Sequence, residues 1–93
     1  MPYLEKLPLP AAEVVFQQHE PPTALYFIES GQVSTFARSS SDQNLRLRTL
    51  GAGNVVGEIA FFTRIPYQAT AIADQATTLY RLSYESLQTM IQN

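Results

Sequence analysis

The residues best suited to chemistry lie together in Gly57-Glu58-Ile59-Ala60-Phe61-Phe62-Thr63-Arg64-Ile65-Pro66-Tyr67-Gln68-Ala69-Thr70. Glycine at 57 permits a close backbone approach to a ligand, or a positive φ. A short helix starting near Glu58 would leave its first N–H groups without partners inside the helix. Those donors and the local dipole favour an anion such as a phosphate. Glu58 works against that preference, because a carboxylate repels phosphate. It fits the same site only opposite a neutral donor, and a ribose hydroxyl is one. Pro66 ends the turn, and Ala69 leaves room beside a ligand.

This segment resembles the phosphate-binding cassette of cyclic nucleotide-binding domains. In that family the order is glycine, glutamate, an aliphatic residue, a small residue, a helical turn, then proline, arginine and a pair of small residues. Gly57, Glu58, Ile59, Ala60, Pro66, Ala69 and Thr70 match at that spacing. The resemblance implies that Glu58 meets a ribose. It also implies that Gly57, Glu58, Ile59, Ala60, Tyr67, Gln68 and Ala69 line a pocket for cyclic AMP, cyclic GMP or another anionic small molecule.

Tyr67 stands where the family's phosphate-pairing arginine would be. An arginine fork gives a phosphate two charge-assisted hydrogen bonds. Losing one member of a buried charged pair costs about 2–5 kcal/mol, or roughly thirty- to several-thousand-fold in affinity. A tyrosine hydroxyl returns about 1 kcal/mol. The expectation is a regulatory module with a degenerate phosphate site that binds a cyclic nucleotide weakly. The alternative is a ligand-free structural or protein-interaction domain of the same fold, with the tyrosine ring filling the phosphate position.

The remaining polar residues carry less. Arg64 could swing in to replace the missing arginine or stay solvated, and Gln68 could bond a base or phosphate or sit on a strand surface. Arg46 and Arg48 could form an anion site, but they alternate with Leu45, Leu47 and Thr49, which predicts a half-buried strand with both arginines on its outer face. His19 is the only histidine, so a two- or three-histidine metal site cannot form. No Ser-His-Asp arrangement can be built around Ser39, Ser40 or Ser41. With no nucleophile–base pair or paired carboxylates, the chain is expected not to be an enzyme and to need no cofactor.

The chain has 93 residues, 45% of them hydrophobic and 15% charged, which suits one small globular domain. Its formal net charge is −2 and it has no basic run, so the electrostatic footprint of a nucleic-acid binder is absent. There is no cysteine, hence no disulfide framework. The apolar runs are too short to span a bilayer.

Short β-branched and aromatic runs predict strands over 13–17, 24–29, 32–38, 45–50, 55–56, 68–74 and 77–82. Ser30-Gly31, Gly51-Ala52-Gly53-Asn54 and Asp74-Gln75-Ala76 supply turns. Ser83 is the expected N-cap of a terminal helix whose apolar face carries Tyr84, Leu87, Met90 and Ile91. Phe61 and Phe62 are expected in the core. The fold class is therefore mainly β: an antiparallel jelly-roll-type β-roll with a short helical turn in the cassette and a C-terminal helix. Residues 1–12, with prolines at 2, 8 and 10, are expected to be a linker or edge segment, and 13–93 the β-roll.

The family continues with further helices, so the chain is expected to be part of a longer parent whose remainder is its partner, with a homo-oligomer also compatible. From Leu45 onward it also resembles the cytoplasmic C-terminal domain of bacterial sulfate permease-type transporters. That likeness rests on Arg48-Thr49-Leu50-Gly51-Ala52-Gly53, Val56-Gly57-Glu58 and Tyr80-Arg81-Leu82. It implies a cytoplasmic domain, tethered to the inner face of the membrane where the parent is a transporter.

Overall fold

The structure is a computed structural model describing residues 4–41 and 43–92; the first three residues of the expected linker lie outside these. Eight strands form two four-stranded antiparallel sheets. One sheet holds β1 (Glu5–Leu9), β8 (Thr77–Ser83), β3 (Ala24–Ser30) and β6 (Val55–Val56), in that order. The other holds β2 (Val14–Phe16), β7 (Thr70–Ala73), β4 (Gln32–Arg38) and β5 (Asn44–Gly51). Two helices complete the roll: α1 (Glu58–Thr63) after β6, and α2 (Tyr84–Gln92) after β8. This is the mainly β architecture expected from the sequence.

Local chemistry explains where the strands turn and stop. Gly31 sits at φ 101, and a Cβ there would lie 2.6 Å from the Cα of Thr77, so only glycine fits the tight β3–β4 turn. His19 takes φ 78 in the turn after β2. Pro8 lies within β1, which is an edge strand, where a missing N–H donor is tolerated.

The main core joins residues of both sheets, among them Phe16, Tyr26, Ile28, Val33, Leu50, Val56, Ala71 and Leu79. A second cluster of Leu25, Phe61 and Leu82 packs with Tyr84 and Leu87 and seats both helices. Ser83 caps α2 as expected, its Oγ accepting from the N–H of Ser86 at 3.1 Å. The apolar face of α2 is only half used: Tyr84 and Leu87 pack, whereas Met90 and Ile91 are exposed.

The expected alternation in β5 is corrected by the register. Thr35 pairs with Arg48, but the next residue, Phe36, pairs with Arg46. Leu47 is therefore an extra residue, a β-bulge on an edge strand. The bulge splits the two arginines. Arg46 joins the outer face, its guanidinium 5.4 Å from the centre of the Phe36 ring and 3.9 Å from Asp74. Arg48 shares the register of Thr35 and faces inward, as Leu50 does opposite Val33. Leu45 and Leu47 are about half exposed, because β5 has a neighbour on one side only.

On the outer face, Asp74 accepts hydrogen bonds from the buried Ser34 hydroxyl and from Gln32 Nε2 at 2.8 Å. These two bonds, Ser34 first, and the nearby Arg46 hold its carboxyl below the ordinary value of 3.8.

Candidate functional site

The cassette segment leaves β6 through Gly57, which adopts φ 83, ψ 16, a left-handed conformation. A Cβ at 57 would lie 3.2 Å from both Phe16 Cε2 and Tyr67 Cε1, so the backbone itself rests against two aromatic rings. α1 follows with no side-chain cap and ends at Arg64, φ 63, whose N–H bonds the carbonyl of Ala60. Within this six-residue helix Ala60 and Phe61 turn inward, whereas Ile59 and Phe62 are 68% and 70% exposed. The expectation that Phe62 is core is thus corrected: at about 100° per residue a single inward stripe holds 60 and 61 and excludes 59 and 62.

Gly57, Glu58, Ile59, Ala60, Tyr67, Gln68 and Ala69 all line one cavity of about 170 Å³. Its opposite wall comes from Thr35 on β4 and from Leu47, Arg48 and Leu50 on β5. Glu58 and Arg48 are the charged residues of the lining. A larger concavity of about 580 Å³ involves other residues, among them Gln18, Phe36, Arg38, Arg46 and Thr70. Several of its polar groups are already engaged, since Arg46 meets Asp74 and Phe36, the Gln18 backbone N–H donates to Thr70 Oγ1, and Gln18 Oε1 accepts from the Arg38 backbone N–H.

Tyr67 forms the floor of the cassette cavity. It is 4% exposed. Its ring stacks on Phe16, centroids 3.8 Å apart and planes 8° from parallel. The hydroxyl donates to the Ala24 carbonyl at 3.3 Å. Burial, and then the neighbouring Tyr26, push its pKa above 10.0, so the ring carries no charge at neutral pH. At position 67 the cavity thus meets a packed, uncharged ring.

Arg64 does not swing into the cavity. Its guanidinium lies 3.6 Å from the centre of the Tyr84 ring, and it is absent from the cavity wall. Tyr84 in turn stacks on Phe61 at 4.4 Å and donates its hydroxyl to the Phe61 carbonyl at 2.6 Å. The first residue of α2 is therefore clamped between Phe61 and Arg64, at the C-terminal half of the cassette helix.

Seven lining residues fell outside the sequence expectations: Phe16, Thr35, Leu47, Arg48, Leu50, Val55 and Val56. Phe16 and Thr35 come from distant strands and carry no local signal. The alternation put Arg48 on the outer face by turning Leu45 and Leu47 inward, whereas Leu50, two residues after Arg48, is the one that is buried. Among the described residues there is no cluster of His, Cys, Asp or Glu suited to a metal ion, and no helix long and apolar enough to cross a membrane.

Comparison with known proteins fits this geometry. The family model for the cyclic nucleotide-binding domain matches residues 6–93. A protein named as a potassium channel in Rhodopseudomonas palustris is 37% identical over 91 residues, covering 98% of this chain and 22% of that protein. The CRP-like protein Clp of Xanthomonas campestris is 32% identical over 84 residues, 89% of this chain and 36% of Clp. The chain thus spans about a third or less of the curated relatives it matches. Among solved structures, the Thermus thermophilus catabolite activator protein superposes with a TM-score of 0.89 at 28% identity, over 98% of this chain and 43% of that one. The c-di-GMP-responsive global regulator CLP of Xanthomonas campestris does so at 0.86 and 29%, over 99% and 45%. With the fold, the cassette geometry and the family model in agreement over nearly its whole length, the chain belongs to the cyclic nucleotide-binding domain family.

Proposed function

We propose that this domain is a non-catalytic sensor of a phosphorylated small ligand, working within a larger regulatory protein, with a cyclic nucleotide or cyclic dinucleotide as the ligand class. The observation that carries this is the gathering of all seven cassette residues around one cavity. Glu58 is the acceptor for sugar hydroxyls. Tyr67 makes the phosphate site degenerate, so binding is weak and lacks the family's arginine clamp. The responsiveness of the CLP regulator to c-di-GMP supports including cyclic dinucleotides. Occupancy is relayed to the rest of the parent through α2, which the clamp on Tyr84 ties to α1.

The parent is taken to resemble the relatives found, a channel protein and transcription regulators, and to place this domain in the cytoplasm. The sulfate permease likeness rests on three short segments alone.

Isothermal calorimetry with cyclic AMP, cyclic GMP and cyclic di-GMP at up to millimolar concentration tests the proposal. Binding of at least one, weakened by Glu58→Gln, is the expected result. Tyr67→Arg is expected to raise affinity at least about tenfold, the lower end of what a restored charged pair supplies. No heat with any of the three removes the proposal.

A second reading has its own observation. The cavity, at about 170 Å³, is smaller than the roughly 300–1,000 Å³ of ordinary small-molecule sites, and the Tyr67 ring is packed as core. A ligand-free interaction domain of the same fold is therefore the alternative, and it predicts unchanged melting temperature with every nucleotide.

A further inference from the structure

The bulge at Leu47 has a chemical result. A regular β5 would carry Arg46 and Arg48 on the face of Leu50, both pointing toward the core. The extra residue gives each arginine a different face. Arg46 is spoken for by Asp74 and the Phe36 ring. Arg48 lines the cassette cavity, and among the described residues no carboxylate lies within ion-pair distance of it. It is the sole cation in that lining, which also holds the carboxylate of Glu58. Bulges next to binding sites commonly serve to re-aim one side chain; here Arg46 is turned out, and Arg48 keeps the inward face of Leu50.

We propose that Arg48 supplies the anion-binding charge of this cavity, so that a nucleotide lies with its sugar hydroxyls at Glu58 and its phosphate toward β5 rather than toward residue 67. The proposal rests on the ligand-binding reading above and adds the residue and the ligand orientation. Three observations converge on it. The position expected to hold a cation carries the buried, uncharged Tyr67. The nearest cation in sequence, Arg64, is stacked on Tyr84 away from the cavity. And the exposed Arg48 can meet an anion without the penalty of a charge already stripped of water. A guanidinium also fits a phosphate with two parallel N–H donors, which an ammonium cannot do.

The test is calorimetric titration of the full chain with cyclic AMP and cyclic di-GMP, at low salt and at about 0.5 M salt, for wild type, Arg48→Gln, Arg48→Lys and Glu58→Gln. Arg48→Gln should bind about tenfold more weakly at low salt, the lower end for a charged hydrogen bond. Arg48→Lys should recover part of that loss. The gap between wild type and Arg48→Gln should narrow at high salt, since exposed charges are screened. Thermal melts of the variants should match wild type, because Arg48 is exposed. If Glu58→Gln weakens binding while Arg48→Gln matches wild type, or loses affinity equally at both salts, the role of Arg48 is refuted and the sensor reading stands. If neither these two nor cyclic GMP binds wild type, both are refuted.

Discussion

Replacing Tyr67 by alanine and by phenylalanine separates what its ring does from what its hydroxyl does. The ring is 4% exposed and lies flat on Phe16. Removing it empties roughly 100 Å³, and at about 24 cal/mol per Å³ the unfilled space alone costs about 2.4 kcal/mol. The lost stacking adds about 0.5–1.5 kcal/mol. The lost transfer free energy of the ring adds to this, while the opening joins an existing cavity that admits water and so trims the cavity cost; Tyr67→Ala is expected to cost about 3–4 kcal/mol. Tyr67→Phe keeps the stack and loses a single 3.3 Å hydrogen bond to Ala24, worth about 1 kcal/mol or less. At about 4–8 °C per kcal/mol for a domain of this size, the two melting temperatures should differ by at least roughly 10 °C. Urea denaturation followed by circular dichroism gives the free energies directly. If alanine and phenylalanine differ by less than about 1 kcal/mol, the ring is not a structural floor and the account of the degenerate site fails with it.

Two further outcomes are expected. Gly57→Ala should destabilise by about 1–2 kcal/mol, the cost of a side chain at φ 83, measured by the same denaturation; an unchanged midpoint would mean residue 57 is not left-handed. Asp74→Ala should cost about 1–3 kcal/mol near pH 7, because the buried Ser34 loses its acceptor. The Asp74 carboxyl is depressed in the folded chain, so its contribution is fully present above the ordinary 3.8 and is lost as pH falls through the lowered folded value. The gap between wild type and Asp74→Ala should therefore hold constant from pH 7 to about pH 5 and narrow as pH falls below the ordinary 3.8; a gap that does not narrow there would contradict the lowered carboxyl.

Much of the fold was legible because short-range chemistry dictated it. Gly31 and Gly57 sit where only glycine fits, Ser83 caps the helix that its spacing announced, and β4 runs over the expected 32–38. The seven cassette residues converge because a six-residue helix between a left-handed glycine and Pro66 leaves them little choice. What failed were matters of neighbourhood. Alternation in 45–50 suggested two clean faces, but an inserted residue at Leu47 leaves no mark in a period-two pattern. The same strand looked half buried only because its neighbours were unknown; at a sheet edge, Leu45 and Leu47 remain in solvent. Phe62 read as core by composition, whereas the turn of α1 decides which phenylalanine goes inside. Arg64 was weighed as a ligand before its true partner, an aromatic ring twenty residues later in the chain, could be seen.

The clamp on Tyr84 gives the terminal helix a mechanical property. Tyr84 is held at the root of α2 by the Phe61 ring on one side and the Arg64 guanidinium on the other, while the far end, with Met90 and Ile91 exposed, is unsupported. A nine-residue helix is a lever about 13 Å long. Pivoted at its root, a tilt of about 10° carries its tip through about 2 Å. A shift of a few tenths of an ångström at the cassette is in this way geared up into a displacement large enough to repack whatever the tip touches.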